Sequence, residues 1–130
     1  MAHEDDLRAW AKGMHTIEAA TELLIRAFGG RYAAVGRPWI RKDGSDGKPW
    51  IDFEVIPECI GGSSGGERRF LMLAASLADN VPVVLSDTIP GMDRENLDLV
   101  LAAIAHAGGS HEHSDKLGSL YPWPRSLDSV

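Results

Sequence analysis

Apolar side chains recur along this chain at helical spacing in four stretches and at alternate positions in one. In residues 5–14, Leu7, Trp10, Ala11 and Met14 fall at i, i+3, i+4 and i+7, one face of a helix. Gly13 marks its break. A second helix is expected from a cap at Thr16 to about Phe28. Ile17, Ala20, Leu24 and Phe28 form its buried stripe, and Glu18, Glu22 and Arg26 its wet face, with Glu22 and Arg26 spaced to pair. Gly29-Gly30 ends it.

Residues 31–56 change period. Ile51, Phe53 and Val55 alternate with Asp52 and Glu54, the pattern of a half-buried strand. The turn-rich Asp43-Gly44-Ser45-Asp46-Gly47 precedes it, so a β-hairpin with a polar tip is predicted. A Pro-Trp-Ile triplet at 38–40 returns at 49–51, on the opposite arm, and proline places both at strand starts or edges.

Beyond a loop, Ser64 and Glu67 form a capping box before a helix over 67–79 that is apolar nearly all round. Residues 81–85 (Val-Pro-Val-Val-Leu) read as a short strand, and Asp93 caps a last, equally apolar helix that Gly108-Gly109 stops at Ala107. Two such helices are more than a small core easily surrounds. Either they pair centrally or one face meets a second copy, and a homodimer is favoured. The tail carries Leu120-Tyr121-Pro122-Trp123-Pro124, whose aromatics beside prolines predict docking. The fold class expected is α+β: three to four helices on a small antiparallel hairpin or sheet, one domain over 1–109, then a polar loop and C-terminal tail over 110–130.

Composition narrows the function. In 130 residues, 13 Lys and Arg against 19 Asp and Glu give a net charge of −6, and 44% are hydrophobic. The length suits one ordinary soluble domain. Acidic charge argues against nucleic acid as partner, since that binding depends on Lys and Arg displacing phosphate counterions. The basic residues are scattered, Arg68-Arg69 being an isolated pair, too little for a membrane-surface helix, and no apolar run approaches the ~20 residues of a membrane span. The N-terminus shows no signal-peptide pattern, and the single cysteine, Cys59, fits a cytoplasmic location. Asp52 and Glu54 share a strand face and would suit acid–base work, although a solvated face looks the same.

Two constellations carry candidate chemistry. His106, His111, His113 and Asp115 fall within ten residues, and imidazole and carboxylate are the usual ligands of zinc and related divalent ions. In an extended segment, alternation would aim His111, His113 and Asp115 to one side, with His106 or His15 brought in by the fold. His111-Glu112-His113-Ser114-Asp115 resembles the His-x-His-x-Asp-His motif of metallo-β-lactamase-fold hydrolases, but Lys116 stands where the last histidine belongs and the chain is too short for that fold. No activity is carried over from it.

The second is Ser64-Gly65-Gly66-Glu67-Arg68-Arg69, which resembles the signature motif of ABC-type ATPases. Val83-Val84-Leu85-Ser86-Asp87 is similar to their Walker B strand, and Gly91-Met92-Asp93 to the D-loop. The resemblance spans residues 64 to about 100, less than a third of the chain. Gly44-Ser45-Asp46-Gly47-Lys48-Pro49 is no phosphate-cradling loop, and Thr88 stands at the catalytic glutamate position. What the resemblance implies is a regulatory fragment that lacks a P-loop and completes a partner's site with residues 64–67.

Trp39, Trp50 and Trp123 each follow proline, and with Tyr121 they form an aromatic set of the kind that anchors protein interfaces. The leading expectation is therefore a small acidic cytosolic protein, non-enzymatic and without cofactor, that binds a protein partner, its acidic charge suiting a basic partner surface, through Trp39, Trp50, Tyr121 and Trp123. The competing reading is a metal-binding module or metal-dependent enzyme built on His106, His111, His113 and Asp115. Metal content decides between them.

Overall fold

Residues 19–25 hold alanine, leucine, isoleucine and threonine on more than one side of a helix, and helix α2 (His15–Arg26) is accordingly the centre of the molecule. Ala19, Ala20, Thr21, Leu23, Leu24 and Ile25 are all buried in it. Helices α4 (Gly65–Ala78) and α6 (Arg94–Ala107) pack on it, as does α1 (Ala2–Ala11). The two apolar helices thus share α2 as their partner rather than pairing chiefly with each other. Two short helices, α3 (Ile56–Cys59) and α5 (Leu85–Thr88), complete the set. The computed structural model describes residues 2–42, 46–113 and 121–124. Over these the fold is mostly helical α+β, and no helix is long and apolar enough to cross a membrane.

The hairpin is present but short. Strand β1 (Ile40–Lys42) pairs antiparallel with β2 (Pro49–Ile51), placing Ile40 opposite Ile51 and Arg41 opposite Trp50. The two Pro-Trp-Ile triplets do lie on opposite arms. Part of the expected tip, 43–45, falls outside the described residues. The strand expected through Val55 stops at Ile51. Asp52 N–H donates to Trp39 O at 2.8 Å, and the chain then coils into a 3-10 turn over Phe53–Val55 and into α3. Pro57 sits in the first turn of α3, where its missing N–H costs nothing. Phe53 and Ile56, three apart, are the buried pair, so the apparent alternation was the trace of a helical turn. Residues 81–84 form no strand and no helix and lead into α5, in place of the expected strand. Val81 alone of Val81, Val84 and Leu85 is buried, which gives a strand nothing to pack its second face on.

Several helix ends follow local chemistry. Gly13, at φ +94°, separates α1 from α2. Thr16 is not the cap of α2; the helix begins at His15 after Met14, and the Glu18 carboxylate accepts the Gly13 N–H at 3.0 Å instead. It ends at Arg26 rather than Phe28, in a left-handed run of Phe28, Gly29 and Gly30. Ser64 caps α4 by accepting the Glu67 N–H, but the box is half-made: Glu67 turns to accept from Tyr32 Oη at 2.5 Å and to pair with Arg31. Asp93 caps α6 as expected, accepting the Asn96 N–H at 2.8 Å.

Candidate metal centre

One turn of α2 sets His15 and Glu18 on one face, three residues apart. The last turn of α6 brings His106 to the same place, because α6 packs directly on α2. Gly108-Gly109 then stops α6, Gly109 at φ +82°, and folds the chain back as a 3-10 turn over Ser110–His113. That reversal lays the His111 ring flat on His106, centroids 3.8 Å apart and planes within 5°. His15 meets His111 edge-on at 4.7 Å. Five ligand-bearing side chains from three elements thereby converge.

Their polar atoms form two His–Glu pairs with His111 between them. His106 Nε2 lies 2.9 Å from Glu18 Oε1, and His15 Nε2 lies 3.0 Å from Glu112 Oε1. His111 Nδ1 is buried and has no hydrogen-bond partner. Both triads, His15–His111–Glu112 and Glu18–His106–His111, hold their ligand atoms within 4.8 Å of one another. Ligands at about 2.0–2.1 Å from a tetrahedral ion stand roughly 3.3 Å apart, so small movements suffice for these atoms to share one.

The electrostatics favour the ligating forms. Burial works to raise the Glu18 carboxyl, but the Gly13 N–H, His106 and His15 outweigh it and hold it below the usual carboxylate range. Burial, and then the neighbouring His106 and His15, push the His111 imidazole below its usual value, toward the neutral ring that binds metal.

The sequence-predicted ligands divide. His106 and His111 come together. The His113 side chain and Asp115 lie outside the described residues. The alternation expected to align His111 with His113 does not apply, because the segment is a tight helical turn rather than extended. Glu18, assigned above to a wet face, and Glu112 are the members missed; His15 and Glu18 at i, i+3 were the signal. Asp52 is engaged by Arg41 at 2.8 Å, and Glu54 is exposed on the 3-10 turn.

The aromatic set disperses. Trp39 is 2% exposed, and its indole N–H donates to Tyr32 O at 2.7 Å, so it is a core residue with no surface for a partner. Trp50 rests against Trp10 of α1. Tyr121 Oη donates to Asp98 Oδ1 of α6 at 2.6 Å. Trp123 lies beside His106, with the Arg26 guanidinium 5.0 Å over its ring, and Arg26 Nη1 donates to Pro124 O at 3.2 Å. The ABC-like segment 64–69 forms the start of α4, but residues 83–87 are no Walker B strand: they enter α5, and Asp87 is exposed. The chain matches no protein-family model, no curated protein and no solved structure.

Proposed function

We propose that this protein binds a divalent transition-metal ion of the zinc type, with ligands drawn from His15, Glu18, His106, His111 and Glu112. The observation that carries the reading is His111: a buried imidazole nitrogen without a partner, set between two His–Glu pairs. A buried polar atom left unpaired costs about 1–3 kcal/mol, and an ion at this position removes that penalty. The mixed imidazole and carboxylate set suits zinc, and also manganese or iron, better than calcium or magnesium. His15, Glu18 and Glu112 join His106 and His111 in this set, while the His113 side chain and Asp115 lie outside the described residues. Titration of tag-free protein with Co2+ tests it: a d–d spectrum saturating near one ion per chain, lost in His111→Ala, is expected. A spectrum of free aqueous Co2+ throughout overturns it.

A second reading concerns a protein partner. Leu101 and Ile104, on the outer face of α6, are 40% and 53% exposed, and such an apolar stripe supports a second copy of this chain as that partner. Sedimentation of wild type against Leu101→Glu tests it; a monomer in both sinks the homodimer.

A further inference from the structure

Beside the metal centre, between α1, α2 and α6, the structure holds a cavity of about 240 Å³ that shares Glu18 and His106 with it. Thr21 lines it. This side chain is 1% exposed and its hydroxyl has no hydrogen-bond partner. One water occupies about 30 Å³, so a single bridging water would leave most of the space unused.

Three cations border the cavity: Arg8, Lys12 and Arg26. Glu22 takes two N–H donors of Arg8 and one of Arg26, and Asp5 stands 3.9 Å from Arg8, so the charge of these two cations is largely compensated. Lys12 has no counter-ion among the described residues. The remaining wall is apolar, formed by Ala11 and the ring of Trp123. With a divalent ion at the Glu18 and His106 end, the surroundings are net positive around a small apolar space.

We propose that this cavity binds a small organic carboxylate whose apolar body lies against Trp123 and whose anionic group is held by the metal ion and the Lys12 side, with the Thr21 hydroxyl as a further polar anchor. Because the anion's principal anchor is the ion, the inference rests on the metal-binding reading above. A neutral molecule of the same shape satisfies Thr21 but not the charge, and a bare inorganic anion satisfies the charge but leaves the apolar wall wet.

Benzoate is the probe, with benzamide as its neutral match and chloride as the bare anion. Co2+ is titrated first, by its visible spectrum, into wild type, Thr21→Val and Lys12→Ala, none of which alters a proposed ligand. Benzoate titrated into the Co2+-loaded proteins is expected to shift the spectrum saturably in wild type. Affinity should fall about fivefold in each variant, while Co2+ loading stays unchanged and benzamide and chloride give no saturable shift. If Co2+ loads but benzoate does not saturate, or binds wild type and both variants alike, the carboxylate site is overturned and the metal centre stands. If Co2+ does not load, the metal reading falls and takes the carboxylate site with it.

Discussion

Helix α2 carries two carboxylates one turn apart, Glu18 and Glu22, and they sit in opposite circumstances. Glu22 is complete. Arg8 and Arg26 close on it with three N–H donors at 2.7–3.2 Å, and its side chain is 13% exposed. Glu18 faces imidazoles instead, in a group where His111 Nδ1 has nothing to bond. The same residue type on the same helix thus builds a closed ion-pair cluster at one turn and an unfinished donor set at the next. A closed cluster holds elements together and needs no ligand. An unfinished one calls for a reason of its own, and a bound ligand is one such reason.

The largest expected effect separates the two in metal binding. Removal of a ligand outright, as in His111→Ala or Glu18→Gln, should weaken Co2+ binding by at least about a hundredfold, since even changes behind the ligands cost 10–100-fold. Glu22→Gln should leave Co2+ affinity within about threefold, measured by the same visible titration. Equal losses at both positions would erase the distinction.

Stability should show the reverse order. Glu22→Gln removes the charge that joins α1 to α2 and should lower unfolding free energy by about 1–2 kcal/mol in urea, discounted because Arg8 is 40% exposed. Its pH dependence has a definite sign. Burial works to raise the Glu22 carboxyl, but the bonds from Arg8 and Arg26 prevail and hold it below its ordinary 4.5. A depressed carboxyl stabilises the fold fully above that ordinary value, and the contribution is lost as pH falls through the folded one. The gap between wild type and Glu22→Gln should therefore be flat from pH 6 to 8 and shrink as pH falls below about 4.5. A gap that stays constant as the pH is lowered until the fold itself unfolds would mean packing, not charge, is what Glu22 supplies.

How far these regions were legible in the sequence follows the same division. The i, i+4 spacing reveals Glu22 with Arg26, because both lie on one helix. Arg8 is fourteen residues away across the Gly13 break, and only the packing of α1 on α2 brings it in. His106 and His111 stand out because histidines cluster near them in sequence. Glu18 does not, since 88 residues separate it from the His106 it meets. Trp39 departs from its expected role for a related reason: local context marks it as unusual but cannot tell whether its indole faces a partner or, as here, the Tyr32 carbonyl. Strand alternation at 51–55 failed where Pro57 and the burial of Phe53 with Ile56 favoured a helical turn. The capping signals at Ser64 and Asp93 held because they depend on three or four neighbouring residues only.

The smallest effect is the sharpest on the difference between the two turns. His111→Phe keeps a flat ring against His106 and removes the unpartnered nitrogen, so it abolishes a ligand while relieving a buried polar atom. If the imidazole is there for an ion, the metal-free protein should lose nothing by the change and should melt at the same temperature or up to about 4 °C higher, since about 1 kcal/mol shifts the midpoint of a domain this size by several degrees. Added Zn2+ should raise the melting temperature of wild type and leave His111→Phe unmoved. Had His111 been structural, as Glu22 is, the variant would melt lower with or without zinc. Wild-type stability that the substitution improves, together with a zinc response that it deletes, is the signature of a side chain kept for binding at some expense to the fold.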